Sequence, residues 1–474
     1  MIRILFFLIF ILSGSLPGIA QRETDNWYFG QNSSIEFNAA GLPVSFQNSA
    51  MSTTGGCASI SDKAGNLLFY TNGVTVWNRL HQIMTNGTGL HGNAASAQSC
   101  IIIPQPGSNS VYCIITQENQ LVNGISRPTI LKSSTVDISA QNGMGEVISK
   151  NAVIYTSAPG FFLSQKLTAV HHGNNQDIWL ITHRFPNTQS HEFLSFKITA
   201  GVIQTLPVLS QVPYQTHTFQ STGILKASPT GNKLAGGFEH GTILFDFNNR
   251  TGTVSNPLAL NTFGANALSS MEFSPDGSKL YTLNTATKIE QYNLNAATPA
   301  AIISSRLDVS AVSGAINTYC TMQLASNGKI YVGRLGTNNL SEIANPNING
   351  LGCNFRTSLT FVSSAPPNFK FPNFIQSYFA PPRFEYTGIC AGSPVSFSIP
   401  NQSNIDSVRW NFGDPASVFN KSTALQPNHI FAAPGPYTVQ LNIFQQGFHS
   451  VFERIITIQN KPLVQLPKDT SVCE

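Results

Sequence analysis

Between about Gly55 and Tyr378 the chain repeats one theme. An apolar strand-like run enters a turn containing Gly, and a second apolar run leaves it. The copies read CASISDKAGNLLFYTNG from Cys57, CIIIPQPGSNSVYCIIT from Cys100 and LTAVHHGNNQDIWLITH from Leu167. They continue as GILKASPTGNKLAGGF from Gly223, SMEFSPDGSKLYTLN from Ser270 and TMQLASNGKIYVGR from Thr321. Period-2 alternation around Pro, Asp and Gly is the signature of antiparallel hairpins. In SPDGSKLY, Pro275 restricts φ, Asp276 can bond back to the backbone and Gly277 tolerates positive φ. The turn glycines, Gly65, Gly107, Gly173, Gly231, Gly277 and Gly328, stand 42 to 66 residues apart. That is the scale of a four-stranded propeller blade with variable loops, and a ring of blades would bury the faces that one hairpin leaves exposed.

The pattern therefore predicts an all-β chain: a β-propeller over 21–380, then a compact β module over 383–460. Seven blades are preferred, with six or eight as alternatives and a pair of β-sandwiches as the competing architecture. The seventh blade is expected to close by pairing NWYFGQNSSIEF, from Asn26, with FPNFIQSYF, from Phe371. In the second module SPVSFSI, SVRWNFG, YTVQLNIF and SVFERIITI alternate as strands around a shared core. Trp410 and Phe412 are expected to face that core, Gly413 and Asp414 to turn the chain, and Pro434 and Gly435 to lead into the strand from Tyr437. A turn role for Asp414 is preferred over ion binding, because no carboxylate cluster accompanies it. Residues 461–474 read as a linker or the start of a further module.

Two other segments change the picture. Arg3 precedes the apolar run ILFFLIFIL, and Gly18 and Ala20 suit the −3 and −1 positions of a signal peptidase site. Residues 1–20 are therefore expected to be removed, leaving a secreted, extracellular or outer-surface protein without a membrane span. The seven cysteines are then tested first as disulfides. Cys100 and Cys113 flank a strand–turn–strand and form the local candidate pair, worth roughly 3 kcal/mol if closed.

Composition narrows the chemistry only by exclusion. With 26 basic and 22 acidic residues, charge is too dilute to point to nucleic acid. The sharpest polar cluster is AVHHGNNQDIWLITH, with His171, His172, Asp177 and His183. Two histidines could ligate a metal or act as a base, but adjacent strand residues face opposite ways. His91 sits in the glycine-rich loop NGTGLHGNAAS, which lacks the phosphate-loop spacing. His91, His171, Asp177 and His183 are thus carried as binding candidates, with no catalytic residue, metal ligand or cofactor assigned. Calcium is left open without a motif to support it. Sparse carboxylates weaken a glycosidase reading.

The stretch Trp410-Asn411-Phe412-Gly413-Asp414, with Pro427-Asn428-His429-Ile430-Phe431 and Pro434-Gly435-Pro436-Tyr437-Thr438-Val439, resembles a PKD domain. The resemblance implies an immunoglobulin-like β-sandwich. The chain departs from the usual pattern at Asn411, Pro415 and Phe431, where that family commonly has Asp, Gly and Tyr. The first part resembles the N-terminal region of large Bacteroidetes surface proteins, through NWYFG, GCASISDKAGNLLFYTNGVTVWN, KLTAVHH, FSPDGSKLYTLN and FPNFIQSYF. That group implies gliding-motility-associated proteins, type IX secretion and further C-terminal modules with a sorting domain, although none is visible before Glu474. The reading that results is a secreted or surface non-enzymatic binding or adhesion protein for an extracellular glycan or protein, with the PKD module as spacer. The alternative is an extracellular enzyme degrading polysaccharide or peptide, with its site on the propeller.

Overall fold

The computed structural model describes residues 22–38, 41–122, 125–174, 176–186, 191–213, 222–238, 241–260, 270–284, 287–310, 319–334, 339–360, 370–380, 384–399, 402, 405–445 and 448–460. The expected leader at 1–20 and the stretch 461–474 lie outside them. Among the described residues no helix is long and apolar enough to cross a membrane.

Strands dominate, and every sheet is antiparallel. Three-stranded sheets at Asn26–Phe29, Ser33–Phe37 and Pro43–Phe46, and at Ala58–Ser61, Leu67–Thr71 and Val76–Asn78, come first. The third sheet joins Cys100–Pro104, Val111–Val122, Ile125–Asp137 and Glu146–Thr156. The fourth is built on Phe161–His171, Ile178–Pro186 and His191–Thr199, and the fifth runs from Leu225–Ala227 to Thr253–Ala259. The sixth runs from Met271–Phe273 to Leu307–Asp308, and the seventh from Tyr319–Leu324 to Phe355–Thr360. Consecutive strands pair with one another, as short turns dictate. Gly277 shows the local cause: its φ is +70°, and the Ser274 and Ser278 contacts of Asp276 fix the bend.

The expected β-propeller is corrected by this arrangement. The strands fall into separate open sheets, and none closes into a barrel or curls as a ring of blades requires. The expected seventh closure is also absent, since Asn26–Phe29 pairs with Ser33–Phe37 and not with residues 371–379. The physical reason is that alternation and turn chemistry specify hairpins, whereas the placement of one sheet against another depends on side-chain packing that no period encodes.

Residues 371–379 take a different part. All nine are buried, and they thread between sheets instead of extending one. The Asn373 amide N–H donates to the Cys57 carbonyl at 2.8 Å, and its side-chain Nδ2 donates to the carbonyls of Leu167 at 2.9 Å and Cys100 at 3.3 Å. Ile375 bridges to Ala169, and the Ser377 hydroxyl accepts the His171 backbone N–H. Phe371 and Phe374 pack around Trp27, at 5.0 and 6.3 Å between ring centroids. Trp27 also meets Tyr331 edge-on at 6.0 Å, so the first and seventh sheets share one core.

The cysteines do not form the expected disulfide. Cys57, Cys100, Cys113, Cys353 and Cys390 are free thiols. In the third sheet Cys100 lies opposite Thr116, whereas Cys113 lies opposite Ile103. A three-residue offset separates the two along the ladder by roughly 10 Å and turns them to opposite faces. Cys100 and Cys113 do flank a turn, but register decides bridging. Burial pushes the Cys100 thiol up to about 12.

The C-terminal module contains two sheets. One orders Glu385–Thr387, Pro394–Ser398 and Asn428–Ile430; the other orders Lys421–Ser422, Ser407–Asn411, Gly435–Gln445 and Phe448–Ile458. Their facing side chains, among them Val395, Phe397, Trp410, Phe412, Leu441 and Ile456, form one apolar core.

Candidate functional site

The structure disperses the four polar candidates. His171 and His183 lie toward opposite ends of the hairpin formed by Phe161–His171 and Ile178–Pro186. His171 Nδ1 meets the Ser377 hydroxyl at 2.6 Å, which ties the ring to the threaded segment. Asp177 sits beyond the strand end, accepting from Asn174 Nδ2 at 2.9 Å and facing Lys197 Nζ at 3.5 Å. His183 is buried beside Ser164, at 3.2 Å, and between the rings of Phe193 and Phe238. His172, left out of the candidates, meets the Arg250 carbonyl at 3.0 Å. AVHHGNNQDIWLITH is therefore a hairpin whose polar groups have separate partners.

His91 gathers two ionisable groups around it. Its loop is held on both sides: Leu90 is buried and donates to the Val74 carbonyl, and Gly92 donates to the Gly73 carbonyl. At Gly92 a side chain would meet the Gly73 carbonyl oxygen at 2.3 Å, so the loop needs glycine there to come this close. Asn151, itself at φ +60°, accepts the His91 N–H and donates to the Gly89 carbonyl. Between these clamps the imidazole projects outward, with its side chain 47% exposed.

Glu118 and Lys132 meet it from the third sheet. Thr116 pairs with Lys132 and Glu118 with Ile130, which puts Glu118 and Lys132 diagonally on one face. Lys132 Nζ lies 2.6 Å from Glu118 Oε2 and 2.9 Å from His91 Nδ1, and His91 Nδ1 is 3.2 Å from Glu118 Oε1. An ammonium can only donate, so a neutral His91 ring accepts at Nδ1 and carries its proton on Nε2. A protonated ring would instead donate Nδ1–H to Glu118. The His91 ring and part of the Glu118 carboxylate reach the surface, while the buried Lys132 ammonium holds both of them from within. Glu118 and Lys132 escape a sequence reading because cross-strand register alone brings them to His91.

A second polar set is buried where the first strands of successive sheets adjoin. Gln98 Oε1 accepts from the backbone N–H groups of Leu167 and Leu225, and its Nε2 donates to the Leu225 carbonyl. Lys166 is fully buried; its amine donates to the Thr222 carbonyl at 2.6 Å and lies 4.8 Å from the Phe238 ring centre. Burial lowers this amine from 10.5 to about 7. A signal for it did exist, because Lys166 interrupts an inward-facing strand pattern with a charge. Among the described residues no group of three or more His, Cys, Asp or Glu side chains is arranged to hold a metal ion.

In the C-terminal module Trp410 is buried and donates from Nε1 to the Ala424 carbonyl at 2.9 Å. Gly413 has φ +69°, and Asp414 meets His429 Nε2 through Oδ2 at 3.0 Å within the core. The His429 ring stacks on Phe412 at 4.3 Å. Tyr437 donates to the Ala433 carbonyl at 2.9 Å, across Pro434 and Gly435. His429 was absent from the sequence candidates, although its place between the exposed Asn428 and Ile430 of a short strand follows the alternation that points it inward.

Residues 381–450 match the PKD domain family. Among solved structures, the PKD1 domain of Vibrio anguillarum Epp is 21% identical over 17% of this chain and 93% of its own, with a TM-score of 0.14. Kluyveromyces lactis Hsv2 is 10% identical over 74% of this chain and 94% of its own, with a TM-score of 0.38. A functionally unknown protein from Desulfotomaculum acetoxidans DSM 771 is 13% identical over 73% and 99%, with a TM-score of 0.36. No curated protein matches the chain. Likenesses this distant identify no activity.

Proposed function

Starting from the PKD domain at 381–450, we propose that this chain is an extracellular binding or adhesion protein. In this reading the first seven sheets present the His91–Glu118–Lys132 rim to a polyhydroxylated ligand such as a glycan, and the PKD domain acts as spacer. The observation that carries it is the clamped, outward-facing His91 held against a carboxylate and an ammonium. Carboxylate and amine groups fixed in place can exchange hydrogen bonds with sugar hydroxyls at little ordering cost. Export belongs to the same proposal and rests on the apolar leader at 1–20 with its Gly18 and Ala20 cleavage pattern, whereas type IX secretion and further C-terminal modules rest on resemblance alone.

The test is titration of the purified chain against a broad panel of extracellular glycans, using wild type, His91→Ala and Glu118→Gln. Saturable binding weakened about tenfold or more by both variants supports the reading. Binding indifferent to both substitutions would place the ligand elsewhere. Turnover of a polysaccharide abolished by Glu118→Gln would replace it with the enzymatic reading.

A further inference from the structure

We propose that the Lys226 amine and the Gln323 side chain become joined by an amide cross-link, with the Glu272 carboxylate carrying the protons. The three residues lie on the first strands of the fifth, sixth and seventh sheets, at Leu225–Ala227, Met271–Phe273 and Tyr319–Leu324. Lys226 Nζ is 2.6 Å from Gln323 Oε1 and 2.8 Å from Glu272 Oε2. All three side chains are buried, Glu272 completely. A carbonyl bond of ~1.23 Å puts the Gln323 carbonyl carbon no more than about 3.8 Å from the amine, close to the near-attack range.

The surroundings supply what the reaction needs. Glu272 Oε1 accepts from the Phe273 N–H, and Oε2 accepts from the Leu324 N–H at 3.1 Å, so the carboxylate lies against the backbone next to Gln323. Gln323 Nε2 donates to the Leu324 carbonyl at 3.0 Å, which fixes the amide's orientation. Burial of all three side chains limits the hydrolysis that would compete with the amine.

The step balances without an oxidant. Lys226 gives one proton to Glu272, and the freed amine lone pair forms the Nζ–Cδ bond. The Cδ–Nε2 bond then breaks. Nε2 departs with both protons relayed by Glu272, leaving as ammonium, and the carboxylate is restored. One N–H remains on the new amide.

Peptide mapping of the full chain decides the matter. The chain should weigh about 17 Da less than its sequence, the mass of one ammonia. Cyclisation of an N-terminal glutamine would give the same loss, so intact mass alone is not the readout. Trypsin should fail to cut after Lys226, and a single species should contain residues 198–233 joined to 307–329. Glu272→Gln should accumulate the unlinked form, with its tryptic peptides separate. Normal cleavage after Lys226 in the wild type, with the 307–329 peptide at unmodified mass, would overturn the proposal even if the variant fails to fold.

Discussion

Replacing Lys166 by Met would remove an amine that the fold holds in the wrong charge state for neutral water. The amine titrates at about 7 in the folded chain against 10.5 in an exposed lysine, and burial is the cause. Because the folded value is the lower one, the unfolded chain binds more protons between these limits. Stability from this group therefore rises with pH across that window, and the burden is fully present below about 7. At about 1.4 kcal/mol per pH unit the gap corresponds to roughly 5 kcal/mol. Lys166→Met should escape that burden but lose the Lys166 hydrogen bond to the Thr222 carbonyl, at a cost of about 1–3 kcal/mol. A net gain on the order of 2–3 kcal/mol is expected at pH 6, shrinking and then reversing as pH approaches 10. The assay is urea unfolding of both chains from pH 6 to 10, followed by tryptophan fluorescence, to which Trp179 on the adjacent strand contributes. Taking the difference between the two chains cancels the alkaline titration of partly buried tyrosines such as Tyr112, which desolvation pushes up to about 12. Parallel stability curves at all pH values would refute the reasoning, since they would mean that Lys166 keeps its proton on folding.

Further outcomes are expected from the glycine turns, the buried His429–Asp414 pair and the thiols. Gly413→Ala places a Cβ 2.2 Å from the Thr438 carbonyl oxygen at φ +69° and should cost more than about 2 kcal/mol in chemical unfolding. Gly89→Ala, at φ +74° with open space around it, should cost about 1–2 kcal/mol from the backbone alone; equal losses would show that the Thr438 contact is unimportant. His429→Ala removes the partner of buried Asp414 and a ring stacked on Phe412, and should cost about 3–5 kcal/mol. Adding Asp414→Ala should then cost much less than it does alone, as a double-mutant cycle would reveal. Cys57, Cys100 and Cys113 should resist a thiol-specific dye in the native chain and react after urea is added; fast labelling of the native protein would contradict their burial.

Much of the local structure was legible because its causes are local. The turn at Gly277 follows from Pro, Asp and Gly in sequence, and the inward Trp410 and Phe412 follow from alternation. What alternation could not supply was register between strands and placement between sheets. Cys100 and Cys113 look opposed until the ladder offsets them by three residues. His91 was singled out for its glycine loop, yet its partners Glu118 and Lys132 come from the next strands along and carry no local mark. His171, Asp177 and His183 stood close in sequence, and the hairpin that contains them separates them.

The threaded segment at 371–379 also sets a timetable. Asn373 bonds to residues made 206 and 273 positions earlier, and those carbonyls have no such donor until it arrives. At about 5–20 residues per second, the interval between Cys100 and Asn373 is roughly 15 to 50 s of synthesis. During that time the early sheets lack the part of their core that Ile375 and Tyr378 complete, so chains stopped short of Phe371 should be held by chaperones and aggregate more than full-length ones.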